Sequence, residues 1–281
     1  MVITQNSQNF RVIINLILTK KCLFLVDLKW KYNILLIEKK LKRNSFLYII
    51  AFVALSLAVG QSVFNLNTAW ALDIVGTQKN DVIPGTHNKD SIWGLGGDDR
   101  IWGKASADHL YGNDDDDRIR GNDGSDDIRG GDGDDVLEGN GGSDSIDGGK
   151  GTDVIQGNSG SDDLTGGKGN DIIEGNKGTD TIYGEEGKDW IAGNGGSDWI
   201  FGGPADDRLK GRSGSDHLAG GSGDDLIWGG KGNDDLKGGK GDDLMWGGSG
   251  ANHFDCGSGD DTIMDFDKSK GDTKESNCED F

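Results

Sequence analysis

One large apolar residue recurs at every ninth position from Ile83 to Ile263, and the spacing never slips. Around each of them the chain is polar and glycine-rich, so the apolar set makes neither a helical stripe nor the alternation of an ordinary amphipathic strand. The repeating unit reads G-G/N-x-G-x-D-x-U-x, with U the apolar residue, and runs from Gly76 to Met264: 189 residues, or 21 units of nine. A fixed period over this length predicts a stack of short elements rather than a globule. Column one is Gly in 20 of the 21 units (Cys256 is the exception), column six is Asp in 20 (Asn252 departs), and column eight is apolar in all 21. From Gly124 to Gly259 column four is Gly in every unit except at Ala205.

The unit resembles the calcium-binding nonapeptide of RTX (repeats-in-toxin, hemolysin-type) proteins. The likeness is plainest in Gly220-Gly221-Ser222-Gly223-Asp224-Asp225-Leu226-Ile227-Trp228 and in the two units after it, Gly229 to Lys237 and Gly238 to Trp246. It implies an all-β fold, a parallel β-roll solenoid. In each unit six residues turn and hold Ca²⁺, three form a short strand, and two nonapeptides complete one coil.

The residues support this independently. Glycines in columns one, two and four suit tight turns with positive φ. In a strand x-U-x one side chain points inward and two outward, which makes column eight (Ile155, Leu164, Ile173, Ile182, Ile191, Ile200) a narrow aliphatic core. Column two alternates Asn122, Gly131, Asn140, Gly149, Asn158, Gly167, Asn176, so Asn returns every 18 residues, as a coil with two unlike sides requires. Asn is the non-glycine residue best suited to a left-handed turn position.

Such a coil stacks the column-six carboxylates about 4.8 Å apart. Asp135, Asp153, Asp171, Asp189 and Asp207 form one ladder; Asp126, Asp144, Asp162, Asp180 and Asp198 form the other. Unneutralised carboxylates this close repel by about 1 kcal/mol even in water, and by more when buried. Ca²⁺ accepts carboxylate and carbonyl oxygens in tolerant geometry, whereas Mg²⁺ keeps several of its waters. The expected ligands are the side chains of Asp99, Asp126, Asp135, Asp144, Asp153, Asp162, Asp171, Asp180, Asp189, Asp198, Asp207, Asp216, Asp225, Asp234, Asp243 and Asp261. Backbone carbonyls near Gly131, Gly133, Gly149, Gly151, Gly167, Gly169, Gly221, Gly223, Gly230, Gly232, Gly239 and Gly241 are expected to complete the shells. Without the ion, a chain with 50 Gly and a net charge of −20 has the composition of a disordered tract, so ion binding is expected to drive folding.

The ends are weaker. Units 76–120 carry Lys79, Asn88, Ser106 and Asp115 in column four and read as capping repeats with poor sites; the strong repeats span 121–264, and 265–281 reads as a C-terminal cap that Phe266 plugs. Residues 1–71 hold one Gly, nine Lys/Arg and two acids, leaving a net −27 for the rest. Lys39, Lys40, Lys42 and Arg43 precede an apolar run at 46–59, and Ala69-Trp70-Ala71 offers a small-x-small cleavage site, the three parts of a secretory signal peptide. Two readings of this extension stay open: cleavage after Ala71, or an uncleaved anchor over 46–64, in which case the protein meets a membrane. The residues upstream of Lys39 fit a start assigned too early or a long membrane-targeting extension.

An exported chain suits a disulfide between Cys256 and Cys278. The expected localisation is extracellular or cell-surface. His87, His109, His217 and His253 are scattered, with no Ser/His/Asp or Cys/His set, so no enzyme activity is expected. The negative field excludes nucleic acid. Trp228 with Trp246, and Trp93 with Tyr111, are spaced 18 apart and stack on outer faces, where they either brace the sheet or bind cell-surface or matrix glycans.

Overall fold

The structure is a computed structural model; it describes the backbone of residues 2–6, 9–14 and 24–28, and residues 72–278 in full. The N-terminal strands and the repeat region belong to separate units. In the first, β1 (Val2–Asn6), β2 (Asn9–Ile14) and β3 (Phe24–Leu28) pair antiparallel in the order β1-β2-β3. The apolar run 46–59, the 46–64 segment and the Ala71 site lie outside the described residues. No helix among the described residues is long and apolar enough to cross a membrane.

The second unit is a parallel β-solenoid. β4 (Asp73–Val75), β5 (Val82–Pro84) and β6 (Ser91–Gly96) begin an alternation in which even-numbered strands build a 12-stranded sheet and odd-numbered strands an 11-stranded sheet. Every neighbour in the repeats is 18 residues away, as Asp127↔Ser145 and Val136↔Val154 illustrate, so two nonapeptides make one coil. Column eight fills the space between the sheets: Ile92 to Phe254 are 0–2% exposed. At the far end Phe266 packs edge-on against Phe254, ring centroids 6.1 Å apart.

Strands are longer than the repeat implies. Most run six residues, as in Val136–Gly141, taking in columns seven to nine and then columns one to three of the next unit. The ladder therefore continues past the column-one glycine (Glu138↔Gln156, then Asn140↔Asn158), and only columns four to six are left as turn. Continuing the ladder satisfies backbone groups that a longer turn would leave to water.

The positive-φ positions are columns two and four. Asn122, Asn140, Asn158 and Asn176 sit at φ 75 to 80°, while Gly131, Gly149 and Gly167 on the other side sit at φ 110 to 129°. Column one behaves differently from the sequence expectation: its glycines do not adopt positive φ. They are glycine for want of room. A Cβ on Gly130 would lie 2.6 Å from the Gly148 carbonyl oxygen and collide with Asp135 Oδ2.

Beyond Met264 the chain folds back as a cap. β26 (Thr273–Lys274) pairs with β24 (His253–Ser258), and Cys256 and Cys278 form a disulfide, Cα atoms 5.1 Å apart. Asp265 accepts the Gly247 and Gly248 N–H groups, closing the last turn. The cross-link spans 22 residues, so it stabilises by about 3 kcal/mol on loop entropy. Reduction is expected to lower the urea midpoint of the calcium-loaded protein accordingly; an unchanged midpoint would show that the cap is not needed to hold the last coil.

Candidate metal centre

Column six is buried. Asp99 through Asp243 are 0–2% exposed, although each carries a carboxylate. The turn aims these side chains inward, and each meets the backbone of the preceding coil. The N–H of Asp135 donates to Asp153 Oδ1 at 2.9 Å, that of Asp153 to Asp171 Oδ1 at 2.8 Å, and that of Asp171 to Asp189 Oδ1 at 2.8 Å. The second ladder repeats the bond from Asp126 to Asp144 and Asp144 to Asp162. One oxygen per rung is thus held by an amide from the coil before it.

The other oxygen is not. Among the described residues, Oδ2 of 18 aspartates, including Asp99, Asp108, Asp117, Asp171 and Asp261, is buried without a hydrogen-bond donor. Burying an acceptor without a partner costs about 1–3 kcal/mol, and more for a charged one. The column-one geometry locates this oxygen: the point a Gly130 Cβ would occupy is faced at once by Asp135 Oδ2 and the Gly148 carbonyl. A carboxylate and a carbonyl oxygen thus crowd one small space.

The electrostatics follow. Desolvation, joined by the neighbouring Asp153 and Asp117 charges, pushes the Asp135 carboxyl up to about 8 against the Asp117 backbone hydrogen bond. Asp144, Asp153, Asp207 and Asp225 rise to about 7, and Asp162, Asp180, Asp189 and Asp198 to about 6, burial being the largest cause in each. Near neutrality the ladder calls for a proton or a cation.

The donor set fits a hard cation. Among the described residues no three His, Cys, Asp or Glu side chains cluster as a metal site. A bound ion would therefore draw on main-chain oxygens as well as the carboxylates. Columns two and four supply rows of these: the Gly131 carbonyl faces the Gly149 Cα, and the Gly133 carbonyl faces the Gly151 Cα. Oxygen-only ligation with backbone carbonyls suits Ca²⁺.

The first units differ. Asp81 Oδ2 accepts the Thr77 N–H at 2.6 Å, and Asp90 Oδ2 accepts that of Thr86 at 2.6 Å, so both oxygens are satisfied within their own turn. Thr77, Lys79, Thr86 and Asn88 also stay out of positive φ. Asp108 and Asp117, which fall in the units expected to hold poor sites, share the environment of the ladder, because Ser106 and Asp115 adopt φ 79 and 73°. The turns whose Asp Oδ2 has its own donor thus end near Asp90. At the other end Asn252 keeps the ladder bond from the Asp234 N–H and passes its own N–H to Asp272.

The aromatic pairs stack but do not share a face. Trp93 and Tyr111 (5.7 Å, 8°) lie on the 12-stranded sheet, while Trp228 and Trp246 (4.9 Å, 10°) lie on the 11-stranded one. Tyr183–Phe201 and Trp199–His217 stack as well. Their 18-residue spacing is the signal that could have found them.

Coils of two nonapeptides, carboxylates stacked at every turn and glycine where their oxygens need space define a repeat solenoid whose buried oxygens suit hard cations. The model of the RTX calcium-binding nonapeptide repeat matches successive windows from 73–101 to 228–263. The chain belongs to that family, whose repeats bind Ca²⁺. No match to the chain was found among curated proteins.

Proposed function

We propose that the protein is a secreted, calcium-binding structural element of a cell surface or extracellular matrix. Several Ca²⁺ ions hold the coils as a stiff rod of about 50 Å by strand spacing. The carrying observation is the row of buried Oδ2 atoms without donors. The Asp99-to-Asp261 carboxylates, now with Asp108 and Asp117, hold the ions together with carbonyls of columns two and four. Export is supported by the signal-like segment ahead of Leu72 and by a disulfide that an oxidising compartment favours.

Calcium titration of the metal-free protein, followed by far-ultraviolet circular dichroism, tests this. A cooperative rise in β signal is expected at roughly 10⁻⁴–10⁻³ M, the range of extracellular modules. Asp171→Asn keeps the acceptor for the Asp153 N–H and removes one charged oxygen, so it is expected to bind fewer ions with a higher midpoint. A titration without any transition would remove calcium from the account.

A second reading is favoured by the stacked pairs. A calcium-stiffened rod that displays Trp228–Trp246 and Trp93–Tyr111 as outward aromatic pairs is an adhesin or carbohydrate-binding module.

A further inference from the structure

We propose that the outer face of the 11-stranded sheet around β19 (Arg208–Ser213) binds an anionic saccharide, its acid groups on Arg208, Lys210 and Arg212 and its ring against Trp228. The proposal rests on the carbohydrate reading above and narrows its ligand.

β19 buries Leu209 and Gly211 and turns the three cations outward, Arg208 and Arg212 exposed and Lys210 half-buried. Several outward cations of the roll are countered by an acid one rung away. Arg120 pairs with Glu138, Lys150 with Asp132, Lys168 with Glu186, Lys188 with Asp206 and Lys237 with Asp255. Arg208, Lys210 and Arg212 have no acidic partner among the described residues, and the register explains why. Their neighbours on β17 (Trp190–Gly195) are Trp190, Ala192 and Asn194; on β21 (Leu226–Lys231) they are Leu226, Trp228 and Gly230. In a chain of net charge −20, three adjacent cations without a counter-charge make a local positive patch.

The aromatic part is built into the same place. Lys210 Nζ lies 5.0 Å from the Trp228 ring centroid and 5.6 Å from that of Trp190. Trp228 is held flat by its stack on Trp246. Beside it an open cleft of about 530 Å³ is lined by Lys210, Arg212, Trp228, Gly229 and Gly230. The glycines leave one wall without side chains, so a ring can reach the indole edge.

With Trp246 on one face of Trp228 and Lys210 over the other, the outward indole edge is the apolar surface left for a sugar ring, and guanidinium groups take carboxylate or sulfate in paired hydrogen bonds. A neutral glycan would leave the cations unused. A long polyanion would run into Glu174, which continues the Lys210 column two rungs away (Glu174↔Ala192↔Lys210), and into the negative remainder of the roll. A short acidic oligosaccharide or an acidic chain end meets neither obstacle.

The test uses the full chain in excess free calcium, with calorimetry and tryptophan fluorescence. The probes are a uronic-acid tetrasaccharide, a sulfated-galactose tetrasaccharide and a neutral glucose tetrasaccharide. At least one anionic probe is expected to bind about tenfold or more tighter than the neutral one, and to weaken with salt; the pair of anionic arms tells carboxylate from sulfate. Arg208→Gln combined with Arg212→Gln is expected to lose about tenfold in affinity, and Trp228→Ala as much, with the calcium-dependent circular dichroism of both unchanged. Equal binding of neutral and anionic probes overturns the acidic ligand and leaves the stacking platform standing. No binding of any probe overturns both, and unchanged affinity in the arginine variant overturns the site.

Discussion

Stripped of calcium, the repeat region is expected to be unfolded at pH 8 and to gain β structure as the pH falls toward 5. The folded-state carboxyls are raised, to about 8 at Asp135, about 7 at Asp153 and about 6 at Asp180, against an ordinary value of 3.8. Above the folded values both states are ionised, and the fold carries the whole cost of buried charge. As the pH drops through about 8 to 6 the folded chain takes up protons that the unfolded chain does not, so stability rises. The gain levels off near 3.8, where the unfolded chain protonates too.

The size of the effect decides that it is visible. A tenfold change in a protonation equilibrium is about 1.4 kcal/mol, so a carboxyl moved from 3.8 to about 7 withholds about 4 kcal/mol from the ionised fold. A few such rungs exceed the roughly 5–15 kcal/mol net stability of a domain. Calcium removes the same penalty by ligation, hence protons and calcium compete, and the calcium midpoint is expected to rise as the pH is lowered from 8 to 6. Circular dichroism of metal-free protein between pH 8 and 5 checks the first part. A β signal already complete at pH 8 without metal would show that something other than the ion compensates the ladder.

Much of this was legible in the chain. The column-eight residues marked the core, and the Asn–Gly alternation of column two marked the two sides of the coil. Asn140 and Gly149 indeed differ in φ, 80 against 110°. Other features were hidden because they depend on contacts one coil away. That Asp153 Oδ1 accepts an amide from Asp135 follows from the backbone direction at the turn, which a column of aspartates does not disclose. Ser106 and Asp115 in column four make the Asp108 and Asp117 turns look irregular in sequence, yet both reach the left-handed backbone that column four uses, at modest cost. The cations of β19 stand out only against their neighbours at 18-residue spacing, where the chain places no acid.

Two glycine columns look alike in sequence and are expected to differ under substitution. Gly178, in column four, has φ +135° and would set a Cβ on the Gly160 carbonyl, which reads as intolerable. Yet Ala205 occupies the same column at φ 87°, and its N–H still bonds to the Ser222 carbonyl. The turn relaxes into the left-handed region, so Gly178→Ala is expected to cost about 1–2 kcal/mol. Gly166, in column one, lacks that escape. Its Cβ would stand 2.8 Å from the Gly184 carbonyl and collide with Asp171 Oδ2, while the paired strands on both sides fix the backbone. The collision falls on the oxygens that face the ion, so the substitution costs overpacking, about 3 kcal/mol, and a site as well. The one natural exception, Cys256, stands in the final coil, where the cap replaces a further turn. Gly166→Ala is therefore expected to raise the calcium midpoint several-fold and to lower the urea midpoint well below that of Gly178→Ala, because a solenoid broken in its middle loses coupling between its halves. The reverse order of the two variants would mean that column one is glycine for its backbone angle after all.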